Sequence, residues 1–205
     1  MLEMSMYVIL GYLSGSVLYA QVFARILKRE GMIERSKDRN PGTANAFMYG
    51  GFWCGVLTLA GDLLKGFLPV YFFMQNTAQE HPEAVWCALV IAAPVVGHAF
   101  PCFYGFRGGK GIAVSFGCLL GLCPFWKPVI VLALFFIFFS LILRITPHFY
   151  RTMAAYLCSL AAILLVCDVK SVKTGFFVIT VTVCGRLLLS SEERQEMEVK
   201  LLWKH

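Results

Sequence analysis

Apolar stretches long enough to cross a bilayer follow one another along almost the whole chain, with short connections between them. A membrane-spanning α-helix needs ~20 predominantly apolar residues. The composition agrees, because 59% of the 205 residues are hydrophobic and only 15% are charged. The mean hydropathy of +0.71 is too high for a soluble domain of this size. The sequence therefore predicts an all-α integral membrane protein that forms a single polytopic domain over residues 1–205.

Hydropathy and helix breakers together predict about seven helices. They are expected near residues 5–27, 46–74, 83–104, 111–123, 127–144, 151–167 and 172–190. The fourth is short, since Gly111 and Pro124 bound it, and a broken or partly re-entrant element is the alternative to a full span. No Lys or Arg precedes the first apolar run, so this segment is expected to stay as a helix and not to be cleaved as a signal peptide.

The distribution of basic residues indicates the orientation, because Lys and Arg are retained on the cytoplasmic side. With the N-terminus outside, fourteen of the eighteen basic residues fall on the inner side. They are Arg25, Lys28, Arg29, Arg35, Lys37, Arg39, Arg107, Lys110, Arg144, Arg151, Arg186, Arg194, Lys200 and Lys204. The sequence thus predicts an outer N-terminus and a cytoplasmic C-terminus, with residues 191–205 as a short cytoplasmic tail. The net charge of +6 follows from this topology and does not indicate a substrate.

A glycine-rich loop at residues 105–111, with the sequence GFRGGKG, joins two apolar spans on the predicted inner side. Glycines without Cβ let successive N–H groups converge on an anion, and the positive end of the helix that starts near Ile112 adds to the attraction. The pattern predicts a phosphate-binding loop, and a tight basic turn is the alternative. The candidate binding residues are Arg107, Gly108, Gly109, Lys110 and Gly111.

Three ionisable side chains lie inside or at the end of apolar spans. Asp62 and Lys65 are three residues apart on one helical face, where a charge costs at least ~2.5 kcal/mol. They form either a self-neutralising pair that fixes helix packing or a site in which Lys65 reaches a bound phosphate. His98 ends the third span directly before the glycine loop, so it is a candidate for proton transfer, with a structural role as the alternative.

The first inner loop, residues 34–45, is rich in groups that bind phosphate and hydroxyl. Its Asn-Pro-Gly turn and second Asn make it more specific than a solvated basic loop, which is the alternative. The candidate binding residues are Arg39, Asn40, Gly42 and Asn45.

Taken in order, these segments resemble the PlsY family of membrane acyltransferases. The matching pieces are residues 11–16 (GYLSGS), 40–42 (NPG) with Asn45, 61–66 (GDLLKG), 97–101 (GHAFP) and 106–111 (FRGGKG). The resemblance implies a seven-helix protein of the bacterial cell membrane with its active site on the cytoplasmic side. It implies transfer of an acyl group from acyl phosphate to sn-glycerol 3-phosphate, which gives lysophosphatidic acid and phosphate. No cofactor, metal or nucleic acid is implied, and the acyl chain would lie between helices among membrane lipids.

The resemblance also suggests roles for the candidate residues. Lys110 and His98 are expected to be catalytic, with His98 or the departing phosphate as proton acceptor, and Asp62 is expected to support the site. Substrate binding is expected from Arg39, Asn40, Gly42, Asn45, Lys65, Arg107, Gly108, Gly109 and Gly111.

The chain departs from the family pattern at Asp38, where the family has Ser, and at Met48, where it has Arg. Three alternatives therefore stay open. The protein is a relative that binds a phosphate ester or anionic lipid without turnover, an acyltransferase with a different acceptor, or a small phosphate-ester transporter. A transporter is expected to show an internal repeat, and we find none in the sequence.

Overall fold

The computed structural model describes residues 2–29, 31–36, 38–77, 83–190 and 196–202. Within these ranges the chain is mostly α-helical, with a 3₁₀ turn (Cys102–Tyr104), a π-helical turn (Phe138–Ile142) and two short strands. The helices are α1 (Leu2–Ser16), α2 (Tyr19–Ile26), α3 (Thr43–Gly50), α4 (Phe52–Thr77), α5 (Ala84–Ala99), α6 (Ile112–Leu120), α7 (Lys127–Ile137), α8 (His148–Val166) and α9 (Lys170–Leu188). The strands are β1 (Leu143–Thr146) and β2 (Glu198–Leu201).

Among the described residues, four helical segments are long and apolar enough to cross a membrane. They are α4, α5 with the turn that follows it, α8 and α9. The pair α1 and α2, bent by 43°, would make a fifth. In contrast, α6 has 9 residues and rises only ~14 Å, which is too short for a full span. The prediction of a mostly helical chain with several apolar spans is confirmed, whereas the number seven and the orientation stay predictions.

Two predicted helices are interrupted in the structure. The first breaks at residues 17 and 18, and the Val17 carbonyl released there accepts a hydrogen bond from Lys65 Nζ at 2.6 Å. The second breaks at Gly51, whose φ of +88° separates α3 from α4. This combination of φ and ψ angles is essentially restricted to glycine, so the glycine at position 51 determines where the helix breaks. Both breaks lie close to the polar groups described below.

The all-α prediction is corrected at the two strands. β1 pairs antiparallel with β2, with Leu143 opposite Leu201 and Thr146 opposite Glu198. The fifth predicted helix therefore ends before residue 144, because β-branched residues and the following Pro147 disfavour a helical continuation. Residues 196–202 of the predicted tail are attached to the connection between α7 and α8, whereas 191–195 and 203–205 lie outside the described residues.

Helix α5 lies at the centre of the packing. It contacts α1, α4, α6 and α9, and most of its side chains are buried. It ends at Ala99, so His98 and the glycine loop after it are held against several helices at once. This arrangement places the predicted motifs at one end of the helical bundle.

Candidate active site

A cavity of about 630 Å³ brings the first inner loop together with the starts of α3, α6 and α8 and the end of α5. Its polar lining consists of Asp38, Asn40, Thr43, Asn45, Asp62, His98, Lys110, His148 and Arg151, and Gly42 and Gly111 also face it. The rest is lined by Ala44, Met48, Leu59, Ile112, Ala113 and Phe116. The cavity thus has a charged wall beside an apolar one, which suits an amphiphilic ligand. Within the described ranges, no three His, Cys, Asp or Glu side chains are grouped so that they could hold a metal ion.

Asp38 organises the first inner loop. Its Oδ1 accepts hydrogen bonds from Asn45 Nδ2 at 2.7 Å and from the Asn40 backbone N–H at 3.2 Å. Asn45 Nδ2 also donates to the Asn40 carbonyl at 2.8 Å. The predicted binding residues Asn40 and Asn45 are therefore fixed on the cavity wall by a carboxylate that the sequence analysis regarded as a departure.

Lys110 reaches the same carboxylate. Its Nζ lies 2.9 Å from Asp38 Oδ2, although the two residues are far apart in sequence. Burial raises the pKa of Asp38, but hydrogen bonds from Asn45 and Lys110 outweigh burial and bring the pKa below its ordinary value. Asp38 is thus ionised near neutral pH, so it offsets the charge of Lys110 inside the cavity.

Lys65 does not line the cavity and belongs to a buried trio that we define as Asp62, Lys65 and His98, of which Asp62 and His98 do line it. Its Nζ lies 2.8 Å from Asp62 Oδ1 and 2.8 Å from His98 Nδ1, and it also donates to Val17 as described above. Three partners match the three donors of an ammonium group. The predicted phosphate contact of Lys65 is therefore not formed in this geometry, which fits the alternative of a pair that fixes packing.

The trio also sets the tautomer of His98. An ammonium group only donates, so His98 Nδ1 accepts from Lys65, and the neutral ring carries its proton on Nε2. His98 lines the cavity as predicted. In this tautomer it is a hydrogen-bond donor toward a ligand, and its remaining ring nitrogen has no lone pair to accept a proton.

The glycine loop packs tightly on the end of α5. The N–H groups of Gly108 and Gly109 donate to the carbonyls of Ala99 and His98, at 3.2 and 3.0 Å. These carbonyls lie at a helix end, where intrahelical partners are missing. A Cβ at Gly108 would overlap the His98 carbonyl, and a Cβ at Gly109 would overlap the His98 ring. The prediction that these two N–H groups face an anion is therefore corrected: the glycines permit close packing.

Two predicted arginines lie elsewhere. Arg39 and Arg107 are exposed and do not line the cavity. A third arginine, Arg186, was not predicted as a site residue, yet its Nη2 donates to the Gly108 carbonyl at 2.7 Å. Its guanidinium also lies 5.7 Å from the centre of the Phe100 ring. Arg186 thus ties α9 to the loop that carries Lys110.

His148 and Arg151 are cavity residues that the sequence analysis missed. Both lie in the first turn of α8, and Arg151 Nη2 is 2.9 Å from His148 Nδ1. From the sequence alone, Arg151 indicates only the orientation, and His148 is predicted to lie in a connection between two helices. The available signal was a His and an Arg three residues apart directly after Pro147, which favours a helix start.

Comparison with known proteins gives a consistent family. Residues 5–199 match the family model described as glycerol-3-phosphate acyltransferase. Curated relatives with that name include one from Endomicrobium trichonymphae, 38% identical over 139 residues, which are 66% of this chain and 65% of the relative. Another is from Thioalkalivibrio sulfidiphilus, 38% identical over 60% of this chain and 58% of the relative. One from Legionella pneumophila is 38% identical over 55% of this chain and 39% of the relative. The chain thus spans less than two thirds of the length of these relatives.

Two crystal structures share the fold. Both are of PlsY, an integral membrane glycerol 3-phosphate acyltransferase, in its glycerol 3-phosphate form and in its lysophosphatidic acid form. The first has a TM-score of 0.75 and 24% identity and covers 90% of this chain and 88% of that one. The second has a TM-score of 0.74 at the same identity, with 90% and 87% covered. The helical membrane fold is therefore shared over nearly the full length of both chains.

Proposed function

Because the chain belongs to the glycerol-3-phosphate acyltransferase family, we propose that it transfers a fatty acyl group from acyl phosphate to sn-glycerol 3-phosphate. The products are lysophosphatidic acid and inorganic phosphate, as in the first step of phospholipid synthesis. The observation that carries the proposal is the cavity, in which Lys110 and Arg151 lie beside an apolar wall that includes Leu59 and Phe116. A phosphate group fits the cations, and an acyl chain fits the apolar wall.

Lys110 is the residue to which we assign the main catalytic contact. Two phosphate groups brought together repel each other, and a cation in a water-poor cavity offsets this repulsion most effectively. Lys110 is only 8% exposed and stands directly before Gly111, at the start of α6. The positive end of α6 adds to the attraction for an anion there. Asn40, Gly42 and Asn45 line the same cavity, and we assign acceptor binding to them.

The reaction needs orientation more than a nucleophile on the protein. An oxygen of glycerol 3-phosphate attacks the acyl carbonyl carbon, a new C–O bond forms, and the bond from this carbon to the phosphate oxygen breaks. Phosphate leaves with the electron pair and accepts the hydroxyl proton. The tautomer set by Lys65 makes His98 a donor that holds a phosphate or carbonyl oxygen, so we assign it electrostatic stabilisation and not proton removal. Arg39 and Arg107 have no part in this scheme.

We propose that the protein lies in a bacterial cell membrane with its N-terminus outside and the cavity on the cytoplasmic side. The basic residues around the cavity, among them Lys110 and Arg151, fall on the inner side of this topology. Residues 1–205 then form one membrane domain, and residues 191–205 lie on the cytoplasmic side. The acyl chain is expected to reach the cavity from the surrounding lipid.

A second candidate function is binding of a phosphate ester without turnover. The Asp38–Lys110 ion pair favours it, because a carboxylate beside Lys110 reduces the positive charge that can stabilise the leaving phosphate, while the other polar residues of the cavity can still bind a phosphate ester. A ligand must displace this carboxylate or bind beside it. The two candidates differ in product formation and not in phosphate affinity.

The test uses the purified full chain in detergent with palmitoyl phosphate, with and without glycerol 3-phosphate. Phosphate release and lysophosphatidic acid are measured, the latter by mass spectrometry. We expect product only with both substrates, and its loss in Lys110→Ala, whereas Arg144→Gln, at an exposed arginine outside the cavity, serves as the matched control. Near-normal turnover by the Lys110 variant contradicts the scheme. Saturable binding of glycerol 3-phosphate without product supports the second candidate.

A further inference from the structure

The first turn of α8 presents an oriented cation to the cavity. His148 and Arg151 lie on one helical face, three residues apart, and both line the same cavity as the first inner loop. Arg151 donates through Nη2 to His148 Nδ1 at 2.9 Å, since a guanidinium group has only donors. One contact thus fixes the direction of the half-buried guanidinium, and among the described residues its N–H groups make no other hydrogen bond.

The two lysines beside the cavity already have carboxylate partners. Lys110 pairs with Asp38 at 2.9 Å, and Lys65 pairs with Asp62 at 2.8 Å. Among the residues that the structure describes, Arg151 has no carboxylate partner. No described carboxylate therefore offsets its positive charge in the cavity. A buried or half-buried charge without a partner is costly, and such a charge is usually retained where a ligand supplies the counter-charge.

We infer that Arg151, oriented by His148, binds the phosphate group of a substrate in this cavity. The inference deepens the proposed function, because it adds a second phosphate contact in the cavity that Lys110 also lines. The planar guanidinium matches phosphate with two parallel N–H···O contacts, which an ammonium group cannot form. The phosphate belongs either to glycerol 3-phosphate or to the acyl phosphate, and both present the same chemistry.

His148 has a second neighbour that supports its positioning role. Thr152 Oγ1 donates to the His148 carbonyl at 2.9 Å and lies 3.2 Å from His148 Nε2. Arg151 thus contacts the imidazole at Nδ1, and the Thr152 hydroxyl lies against the same ring, 3.2 Å from Nε2 and 3.5 Å from Nδ1. The start of α8 adds its own positive end beside these side chains, and Pro147 before it provides no side-chain cap. His148 acts through Arg151 in this arrangement and is a positioning residue.

The test compares Arg151→Gln with Arg151→Lys in the full chain, and the control is Arg25→Gln, at an exposed arginine that does not line the cavity. KM and kcat are measured separately for glycerol 3-phosphate and palmitoyl phosphate. Arg151→Gln is expected to raise one KM by about tenfold or more, the size of a lost charge-assisted hydrogen bond. Arg151→Lys keeps the charge and loses the parallel N–H donors of the guanidinium, so it is expected to give an intermediate KM. This variant also tests the inference if Arg151→Gln does not fold. The substrate whose KM rises identifies the bound phosphate.

A second measurement keeps this inference separate from the proposed function. The thermal midpoint of each variant is followed as inorganic phosphate is added, which requires no turnover. If the wild type forms no product but is stabilised by phosphate, and Arg151→Gln is not, the acyltransferase proposal fails and the phosphate site stands. KM values and a phosphate response in Arg151→Gln that equal those of Arg25→Gln overturn the inference, whatever the activity.

Discussion

Two buried ion pairs of this molecule have the same chemistry and different surroundings. Asp62 and Lys65 are neighbours on one helix, and their side chains are 3% and 1% exposed. Asp38 and Lys110 join two distant segments at the cavity, where their side chains are 12% and 10% exposed. The first pair has all its Lys donors matched by protein atoms, so it holds helices together. Both members of the second pair line the cavity, whereas only Asp62 of the first pair does, so a ligand can replace the partner of Lys110.

The largest effect is expected from breaking the pair of Asp62 and Lys65, which we call the inner pair. Lys65→Met leaves Asp62 buried without a cation and leaves His98 Nδ1 without its donor. Removing one partner of a buried pair costs about 3 kcal/mol or more, so the thermal midpoint in detergent should fall by many degrees. The control is the double variant Asp62→Asn with Lys65→Met, which removes both charges and should recover part of the loss. A single variant as stable as the double would show that the trio is not a structural unit.

Activity of the same variants sharpens the comparison. The double variant keeps Lys110 and Arg151 but loses the group that fixes the His98 tautomer. If His98 acts as a donor, kcat should fall while KM for either substrate changes little. The kinetic measurement uses the variants of the stability experiment and needs no further one.

Breaking the pair of Asp38 and Lys110, which we call the outer pair, should lower a substrate KM instead of impairing the site. Asp38→Asn keeps the shape of the side chain and removes the charge that competes with phosphate for Lys110. We expect stability to fall by about 1 kcal/mol and the KM for one phosphate-bearing substrate to fall several-fold, because a cation is released for the ligand. Steady-state kinetics with each substrate varied in turn measure this. A KM that rises instead would mean that Asp38 serves mainly to position Lys110.

The sequence was informative where local chemistry determines the outcome. Long apolar runs predicted the helices, and the motifs around Asn40, His98 and Lys110 were placed in one cavity by the structure. It was misleading where tertiary contacts decide. Glycine spacing predicted a phosphate cradle, yet the loop N–H groups of Gly108 and Gly109 are used by the end of α5. Whether backbone donors face a ligand or another carbonyl depends on the neighbouring helix, and no local pattern contains that information.

Two further features depended on contacts between distant segments. The pairing of β1 with β2 was not foreseen, because short strands are selected by a partner from another part of the chain. Arg151 was interpreted as a topology signal, since a basic residue on the inner side satisfies that rule by itself. Only the structure shows that it faces a cavity and contacts His148. Asp38, regarded as a departure, proves to be the residue that joins Asn40, Asn45 and Lys110.

The smallest effect, the pH dependence of the outer pair, tests whether the comparison holds in solution. The pKa of Asp38 is below its ordinary value in the folded protein, because the hydrogen bonds from Asn45 and Lys110 outweigh the burial that raises it. A lowered pKa contributes stability that is fully present above the unfolded pKa of ~3.9 and is lost as pH falls through the folded value. The stability difference between wild type and Asp38→Asn should therefore be constant from about pH 5 to pH 8 and shrink below about pH 4. Thermal midpoints of both proteins across this range measure it, with Asp168→Asn, at an exposed acid outside the cavity, as the control. If the stability difference between the two proteins grows as the pH falls, then burial, and not the hydrogen bond from Lys110, determines the direction in which the pKa of Asp38 is shifted.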